Sequence, residues 1–588
     1  MRRIVLVLLL FLGLNIEIRC DASEYPIVTT ALGRIKGSTV KSRLGKTIYS
    51  FRGIRYAKPP VGNLRFMPPQ PVDKWEGVYD ATKDGSLCLQ PRMFGNSSED
   101  CLILNIYTTK LPTSENACKR PVIVHIHAGG YFIGGSISTQ MGPNYFLDQD
   151  IVLVTFNYRL ASMGFLSTGD EHAPGNNGLR DQVELLKWVK HNIEPFCGDP
   201  NSVTLLGYSV GGWSALLHMV SSLSQGLFHK AVSMSGSPIG IWPIKTNLLE
   251  AAKKQARLVG CPDDTSEKIV KCLKKVPAEQ LAESLLGFLE RKVVTVNLFI
   301  FIQKEMDRLQ SIGVVEFGTN PMMIWGPVIE GDFGKQKFLT EHPIRLITEG
   351  NFMKVPYIAG QTKDEVGFKA FEIVDNATLT QELNDNFENV APIIFTYERN
   401  SRQSRNVTKA IKRFYFHDRP VDKSQVNNLA EAFTDTLVTF QVNRGAKLVA
   451  RYGDKPVYYY CFNFQGRYSY FYLPGTNNTI PWGVVHGDDL SYLFYDSINF
   501  PLFKKNSPKP EVDMIDKLTT IFANFARTGN PIPHVNEKLD EVKWERFTLE
   551  SQKYLDIGNK LTIKEKLYEK RIEFWENLYP LRLYTGHK

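Results

Sequence analysis

The 588-residue chain has no internal repeat and no low-complexity tract, which excludes solenoids and tandem arrays of small modules. Its eight cysteines form no C-x-x-C pair and no His/Cys cluster has metal-ligand spacing, so no metal is expected. Neither a Walker lysine nor the dinucleotide-type glycine spacing occurs, and no organic cofactor is expected either. Lysines and arginines are scattered among carboxylates and never form a basic stripe interleaved with aromatics, which argues against a nucleic-acid partner. Past the N-terminal stretch no apolar run is long enough to span a bilayer, and Leu583-Tyr584-Thr585-Gly586-His587-Lys588 offers neither a retention tetrapeptide nor a hydrophobic tail. Stable membrane insertion is therefore not expected.

What is present is the composition of a globular protein, with 43% hydrophobic and 22% charged residues. Strand-like apolar runs alternate with helical patterns, which predicts one large α/β domain over residues 21–588. Met1-Arg2-Arg3, the apolar stretch Ile4 to Leu14 and a polar region ending at Cys20 read as a secretory signal peptide over 1–20. Ile18 departs from the small-residue rule, so the cleavage position stays open. The formal charge of +9 becomes +7 once Arg2, Arg3, Arg19 and Glu17, a net +2, leave with the leader. Sequons at Asn96, Asn376, Asn406 and Asn477 suit a glycosylating pathway, and the expectation is a soluble, secreted, extracellular protein.

Two cysteine pairs have short spacings, Cys88 with Cys101 and Cys261 with Cys272, and each would staple a small loop in an oxidising compartment. Sequence alone does not fix the connectivity. Cys118, Cys197 and Cys461 remain as buried thiols or an unassigned pair, and the state of Cys20 is open. Near the C-terminus Tyr568, Ile572, Trp575 and Tyr579 fall at helical spacing and are read as core-facing, with oligomeric state unreadable.

The most informative segment is Gly207-Tyr208-Ser209-Val210-Gly211-Gly212, which follows the apolar run Val203-Thr204-Leu205-Leu206. A buried strand would turn sharply there into a helix near Trp213, and glycines two residues either side leave room for an exposed serine. Ser209 is thus a candidate nucleophile; a tight turn with a solvated serine is the plain alternative. Upstream, Val122-Ile123-Val124-His125-Ile126-His127 leads into Ala128-Gly129-Gly130-Tyr131-Phe132-Ile133-Gly134-Gly135. Such a loop can aim backbone N–H groups at one point, and Gly129, Gly130 and Val210 are the candidate donors for an oxyanion.

With these residues the chain resembles a type-B carboxylesterase, the α/β-hydrolase family that includes cholinesterases, insect esterases and juvenile hormone esterases. The likeness runs from Tyr25 to Tyr579 and includes Phe51-Arg52-Gly53-Ile54-Arg55-Tyr56-Ala57, Ser98-Glu99-Asp100-Cys101-Leu102-Ile103-Leu104-Asn105, Asn157-Tyr158-Arg159 and Asn176-Asn177-Gly178-Leu179-Arg180-Asp181-Gln182. It implies an α/β-hydrolase fold, a large and mostly parallel central sheet flanked by helices. It also implies that Glu365, in Lys363-Asp364-Glu365, is the triad acid, and that His486, in Gly483-Val484-Val485-His486-Gly487-Asp488-Asp489, is the base. The order Ser, Glu, His is the one expected for this fold. By the same resemblance Ser235 hydrogen-bonds near the triad, Trp242 lines the acyl side of the substrate site, and Arg65 with Glu99 and Arg159 with Asp181 are buried structural pairs. His125 is expected to be structural and His127 to belong to the oxyanion motif without carrying a proton.

Departures from the family pattern narrow the substrate. Ala128 stands where the family's first motif glycine falls, and Val210 stands where a smaller alanine is common, which would tighten the acyl pocket. Tyr208 replaces the glutamate of cholinesterases and the glutamine of juvenile hormone esterases, and the segment between Cys88 and Cys101 has no tryptophan to hold a quaternary ammonium. Both of those activities are therefore disfavoured, and Tyr208 is read with Trp242 as substrate-contacting. The expectation is a secreted serine carboxylesterase that hydrolyses uncharged carboxylic esters, small molecules, through an acyl-enzyme. A catalytically silent, cholinesterase-like binding or adhesion protein and a lipase are the alternatives. Deacylation needs a neutral imidazole at His486, so a pH–rate profile should fall towards acid; a flat rate from mildly acidic to alkaline pH would count against His486 as the base.

Overall fold

The computed structural model describes residues 25–113, 118–288, 317, 324–334 and 336–585; the leader read at 1–20, Cys20 with it, lies outside them. Runs such as Val122-Ile123-Val124 and Val152-Leu153-Val154 are apolar at every position, the pattern of strands covered on both faces. Eleven strands form one sheet: β1 Ser38–Lys41, β2 Thr47–Arg55, β3 Ile103–Thr108, β4 Arg120–Ile126, β5 Val152–Phe156, β6 Gly198–Tyr208, β7 Lys230–Met234, β8 Tyr357–Thr362, β9 Val457–Phe462, β10 Lys553–Ile557 and β11 Leu561–Glu565. Their spatial order is β11-β10-β9-β8-β7-β6-β4-β5-β3-β2-β1. From β10 across to β5 every neighbour is parallel. Antiparallel strands complete both edges, β11 on one side and β3, β2 and β1 on the other, so the sheet is mixed around a parallel centre.

Side chains alternate between two cores as strand geometry requires. On β4, Val122, Val124 and Ile126 enter one core with residues of helices α1 Asn177–Asn192, α2 Val210–Val220 and α3 Phe440–Tyr452. Ile123 enters the other, which also holds Leu518 and Phe522 of helix α4 Lys509–Thr528. Ile572, Trp575 and Tyr579 are buried, and Trp575 donates its indole N–H to Tyr415 Oη at 2.8 Å. Among the described residues no helix is long and apolar enough to cross a membrane.

Disulfides join Cys88 to Cys101, Cys261 to Cys272 and Cys118 to Cys197, while Cys461 is a buried thiol on β9. The third bridge ties the approach to β4 to the residue before β6, and those strands are hydrogen-bonded neighbours. Two buried ion pairs anchor the loops. Arg159 meets both carboxylate oxygens of Asp181 at 2.8 and 2.6 Å, and Arg65 meets both of Glu99 at 2.6 Å. Arg65 also donates to the carbonyls of Leu273, Lys274 and Val276.

Removing one partner of a buried pair strands the other charge away from water. Asp181→Ala should therefore lower the unfolding free energy by about 3–5 kcal/mol. Asp263→Ala, which breaks the exposed pair of Asp263 with Arg257, should cost no more than about 1 kcal/mol. Equilibrium urea unfolding of both variants checks this, and equal losses would refute it.

Candidate active site

The chain reverses from β6 into α2 at a single residue, Ser209, whose φ of 57° and ψ of −121° are unfavourable for any side chain. The reversal is tight enough to need bare backbone on either side. A Cβ at Gly207 would lie 1.9 Å from Gly211 O, and one at Gly211 would lie 2.0 Å from Ile126 O. Ser209 N donates to Met234 O at 2.8 Å, which fixes the turn to β7. Ser209 itself stays partly exposed, between buried Tyr208 and buried Val210.

Glu365 follows β8 and His486 lies in the loop after β9, so both come from carboxyl ends of parallel strands near β6. A short bridge zips the two loops together: His486 N donates to Glu365 O at 2.9 Å, Asp364 N to Val484 O at 3.0 Å, and Val484 N to Asp364 Oδ2 at 2.7 Å. The Glu365 carboxylate is fully buried. Its Oε1 accepts from Thr362 N at 2.7 Å and its Oε2 lies 2.6 Å from His486 Nδ1. A carboxylate can only accept here, so Nδ1 carries the proton and Nε2 is left as the basic nitrogen. The imidazole is 21% exposed and packs 4.8 Å from the ring of Tyr208, the neighbour of Ser209. The serine turn and the histidine–carboxylate pair thus share one site.

The glycine loop lies beside the same turn. Gly129 adopts φ 112°, and a Cβ there would fall 2.0 Å from Ile133 O. Among the described residues none of the N–H groups of Gly129, Gly130 and Val210 donates to a protein acceptor. His127 stacks on Tyr158 at 4.3 Å and gives its Nδ1 proton to Ala128 O at 2.7 Å, while His125 holds Leu206 O at 3.1 Å. Burial pushes His127 down to about 4 and His125 to about 3, so both rings are neutral. Trp242 is half-buried and meets Trp213 of α2 edge-on at 5.7 Å. Ser235 is buried after β7, and its hydroxyl has no hydrogen-bond partner among the described residues.

This geometry can be set against known proteins. The carboxylesterase family matches residues 24–575. The chain belongs to the carboxylesterase family. It is 35% identical to the juvenile hormone esterase of Tribolium castaneum over 90% of this chain and 88% of that one. It is 37% identical to esterase FE4 of Myzus persicae, over 89% and 88% of the two chains, and 34% identical to venom carboxylesterase-6 of Apis mellifera, over 97% and 98%. The crystal structure of juvenile hormone esterase from Manduca sexta, with OTFP covalently attached, superposes with a TM-score of 0.79 at 29% identity and covers 95% of this chain and 100% of that one. This carboxylesterase is accordingly a carboxylic ester hydrolase with the α/β-hydrolase fold.

Of the sequon asparagines in this carboxylesterase, Asn96, Asn406 and Asn477 are exposed, whereas Asn376 is half-buried and caps a helix through Oδ1 to Thr378 N and Leu379 N. Among the described residues no group of three or more His, Cys, Asp or Glu could hold a metal ion. Two carboxyls behind the histidine had no role assigned from sequence, because only the fold buries them. Asp488 accepts from Val485 N, Ser469 Oγ and Tyr470 N, and Asp489 accepts from Tyr460 Oη at 2.9 Å. Burial pushes both up to about 7, with the Glu365 charge adding to the effect on Asp489.

A carboxyl raised in the folded state from 3.8 to about 7 binds its proton more tightly there than in the unfolded chain. It therefore lowers stability progressively as pH rises through that window. Asp489→Asn, which cannot ionise, should lose less stability between pH 5 and 8 than the parent does. Urea midpoints at both pH values test this, and an equal drop in the two proteins would refute it.

Proposed function

We propose that this chain is a secreted serine carboxylesterase that hydrolyses uncharged esters through an acyl-enzyme on Ser209. The observation that carries the reading is the 2.6 Å contact of His486 Nδ1 with the buried Glu365 carboxylate, which leaves Nε2 basic beside a serine forced outward by its turn. His486 takes the proton of Ser209 as the hydroxyl attacks the ester carbonyl, and Glu365 stabilises the imidazolium that forms. The unpaired amides of Gly129, Gly130 and Val210 receive the oxyanion. His486 then protonates the departing alkoxide and next activates the water that releases the acid.

Secretion is supported by the leader pattern over 1–20 and by the disulfides, and one catalytic domain over 21–588 by the continuity of the sheet from Ser38 to Glu565. The names of the similar proteins divide among a hormone, an unspecified ester and a venom at nearly equal identity. Residue chemistry is the better guide: Tyr208 and Val210, which flank Ser209, and the half-buried Trp242 are aromatic or apolar and bring no charge to meet a charged ester. Short, uncharged acyl groups fit that surface best.

Hydrolysis of p-nitrophenyl esters from acetate to octanoate is the test. Ser209→Ala should lower turnover by about 10⁴-fold or more. Rates should decline with acyl length if Val210 and Trp242 narrow the pocket. Equal background rates from both folded proteins would favour the binding-protein alternative, and a sharp rise on aggregated long-chain esters would favour a lipase.

A further inference from the structure

A second polar chain, buried from end to end, terminates on the serine turn. Tyr131 follows Gly130 in the glycine loop; its side chain is fully buried and its φ is 65°. Its hydroxyl donates to the carbonyl of Val210 at 3.0 Å. Ser214 Oγ donates to the same carbonyl, also at 3.0 Å. Behind Ser214, Gln182 Nε2 donates to its Oγ at 3.3 Å, Gln182 Oε1 lies 2.9 Å from His218 Nε2, and His218 Nδ1 lies 2.6 Å from Ser224 Oγ.

With the Gln182 carboxamide oriented in this way, the proton order from Gln182 back to Ser224 follows. An amide oxygen only accepts, so His218 carries its proton on Nε2, and its Nδ1 then accepts from Ser224. Burial pushes His218 down to about 3, which keeps the ring neutral as that order requires. Every link from Ser224 onward points towards the Val210 carbonyl, and Tyr131 reaches the same oxygen beside Ser214, its Oη 3.1 Å from Ser214 Oγ.

The Val210 N–H is one of the three unpaired amides; the other two, Gly129 and Gly130, immediately precede Tyr131. The Tyr131 hydroxyl therefore bridges the two halves of the oxyanion site. We propose that Tyr131 is a positioning residue whose hydroxyl holds the glycine loop and the first turn of α2 at the separation a tetrahedral intermediate needs. Packing explains the ring, which meets Phe165 at 4.7 Å and Tyr158 at 6.4 Å, but a phenylalanine would pack equally well. The hydroxyl is explained by its bond to Val210. Donors aimed in advance stabilise the transition state more than the ground state, so loosening them lowers kcat and spares KM. The proposal rests on the serine-esterase reading.

The test compares the parent with Tyr131→Phe, Ser214→Ala, Ser209→Ala and Tyr56→Phe on p-nitrophenyl butyrate, with butylboronic acid as the tetrahedral-adduct probe. Tyr56 is the control, a buried tyrosine whose hydroxyl donates to the Asn157 carbonyl at 2.6 Å rather than to the Val210 turn. Tyr131→Phe should lower kcat about tenfold, keep KM within about twofold, and weaken butylboronic acid by the same factor as kcat/KM. Tyr56→Phe should keep kcat while losing comparable thermal stability. Ser214→Ala removes the second hydroxyl on the same carbonyl together with its 3.1 Å contact to Tyr131 Oη while leaving the tyrosine in place, so it should lower kcat with KM unchanged even where the tyrosine variant folds poorly. A Tyr131→Phe enzyme that matches the parent, or that falls no further than Tyr56→Phe, overturns the proposal. Parent turnover that survives in Ser209→Ala overturns the esterase reading itself, and the proposal with it.

Discussion

The site depends on one strained reversal of backbone. Ser209 is held at positive φ between strand and helix, a conformation that costs on the order of 1–3 kcal/mol. It persists because both arms are fixed elsewhere: β6 lies inside the sheet, hydrogen-bonded to β4 and β7, and α2 lies against the core formed on one face. Gly207 and Gly211 make the approach possible, since any side chain at either position would collide with backbone. The large sheet is what makes a single exposed hydroxyl so rigid.

Electrostatics follows from the same burial. Glu365 sits without solvent and must have donors on both oxygens, and it finds them in Thr362 N and His486. Asp488 and Asp489, one turn further on, respond to the same setting by holding protons more tightly. Two other buried carboxylates, Asp181 and Glu99, have fork-shaped partners in Arg159 and Arg65, and these pairs fasten loops around the sheet.

Much of the site is legible locally. A strand, a serine between glycines and a helix follow one another directly in the chain, so the turn at Ser209 needs no distant information. Glu365 and His486 are readable only by resemblance, because a carboxylate and a histidine 121 residues apart carry no pattern that joins them. The pairing of Cys118 with Cys197, 79 residues apart, was open in the sequence for the same reason. It follows from β4 and β6 being neighbours, an arrangement that places β5 outside the chain order. The antiparallel edges likewise modify the mostly parallel sheet that the resemblance implies.

By itself the sequence determined the elements and their local chemistry: which runs are apolar throughout, where glycine is required, and which hydroxyl stands at a sharp turn. These are properties of neighbouring residues, set by sterics and by periodicity. The tertiary structure alone decided which groups face one another. It brought the Glu365 carboxylate to His486 Nδ1, packed Tyr208 at a tilt against that ring, and ran the Tyr131 hydroxyl to the Val210 carbonyl. Those contacts depend on strand order and on how deeply each group is buried, and neither is encoded within any single stretch of chain.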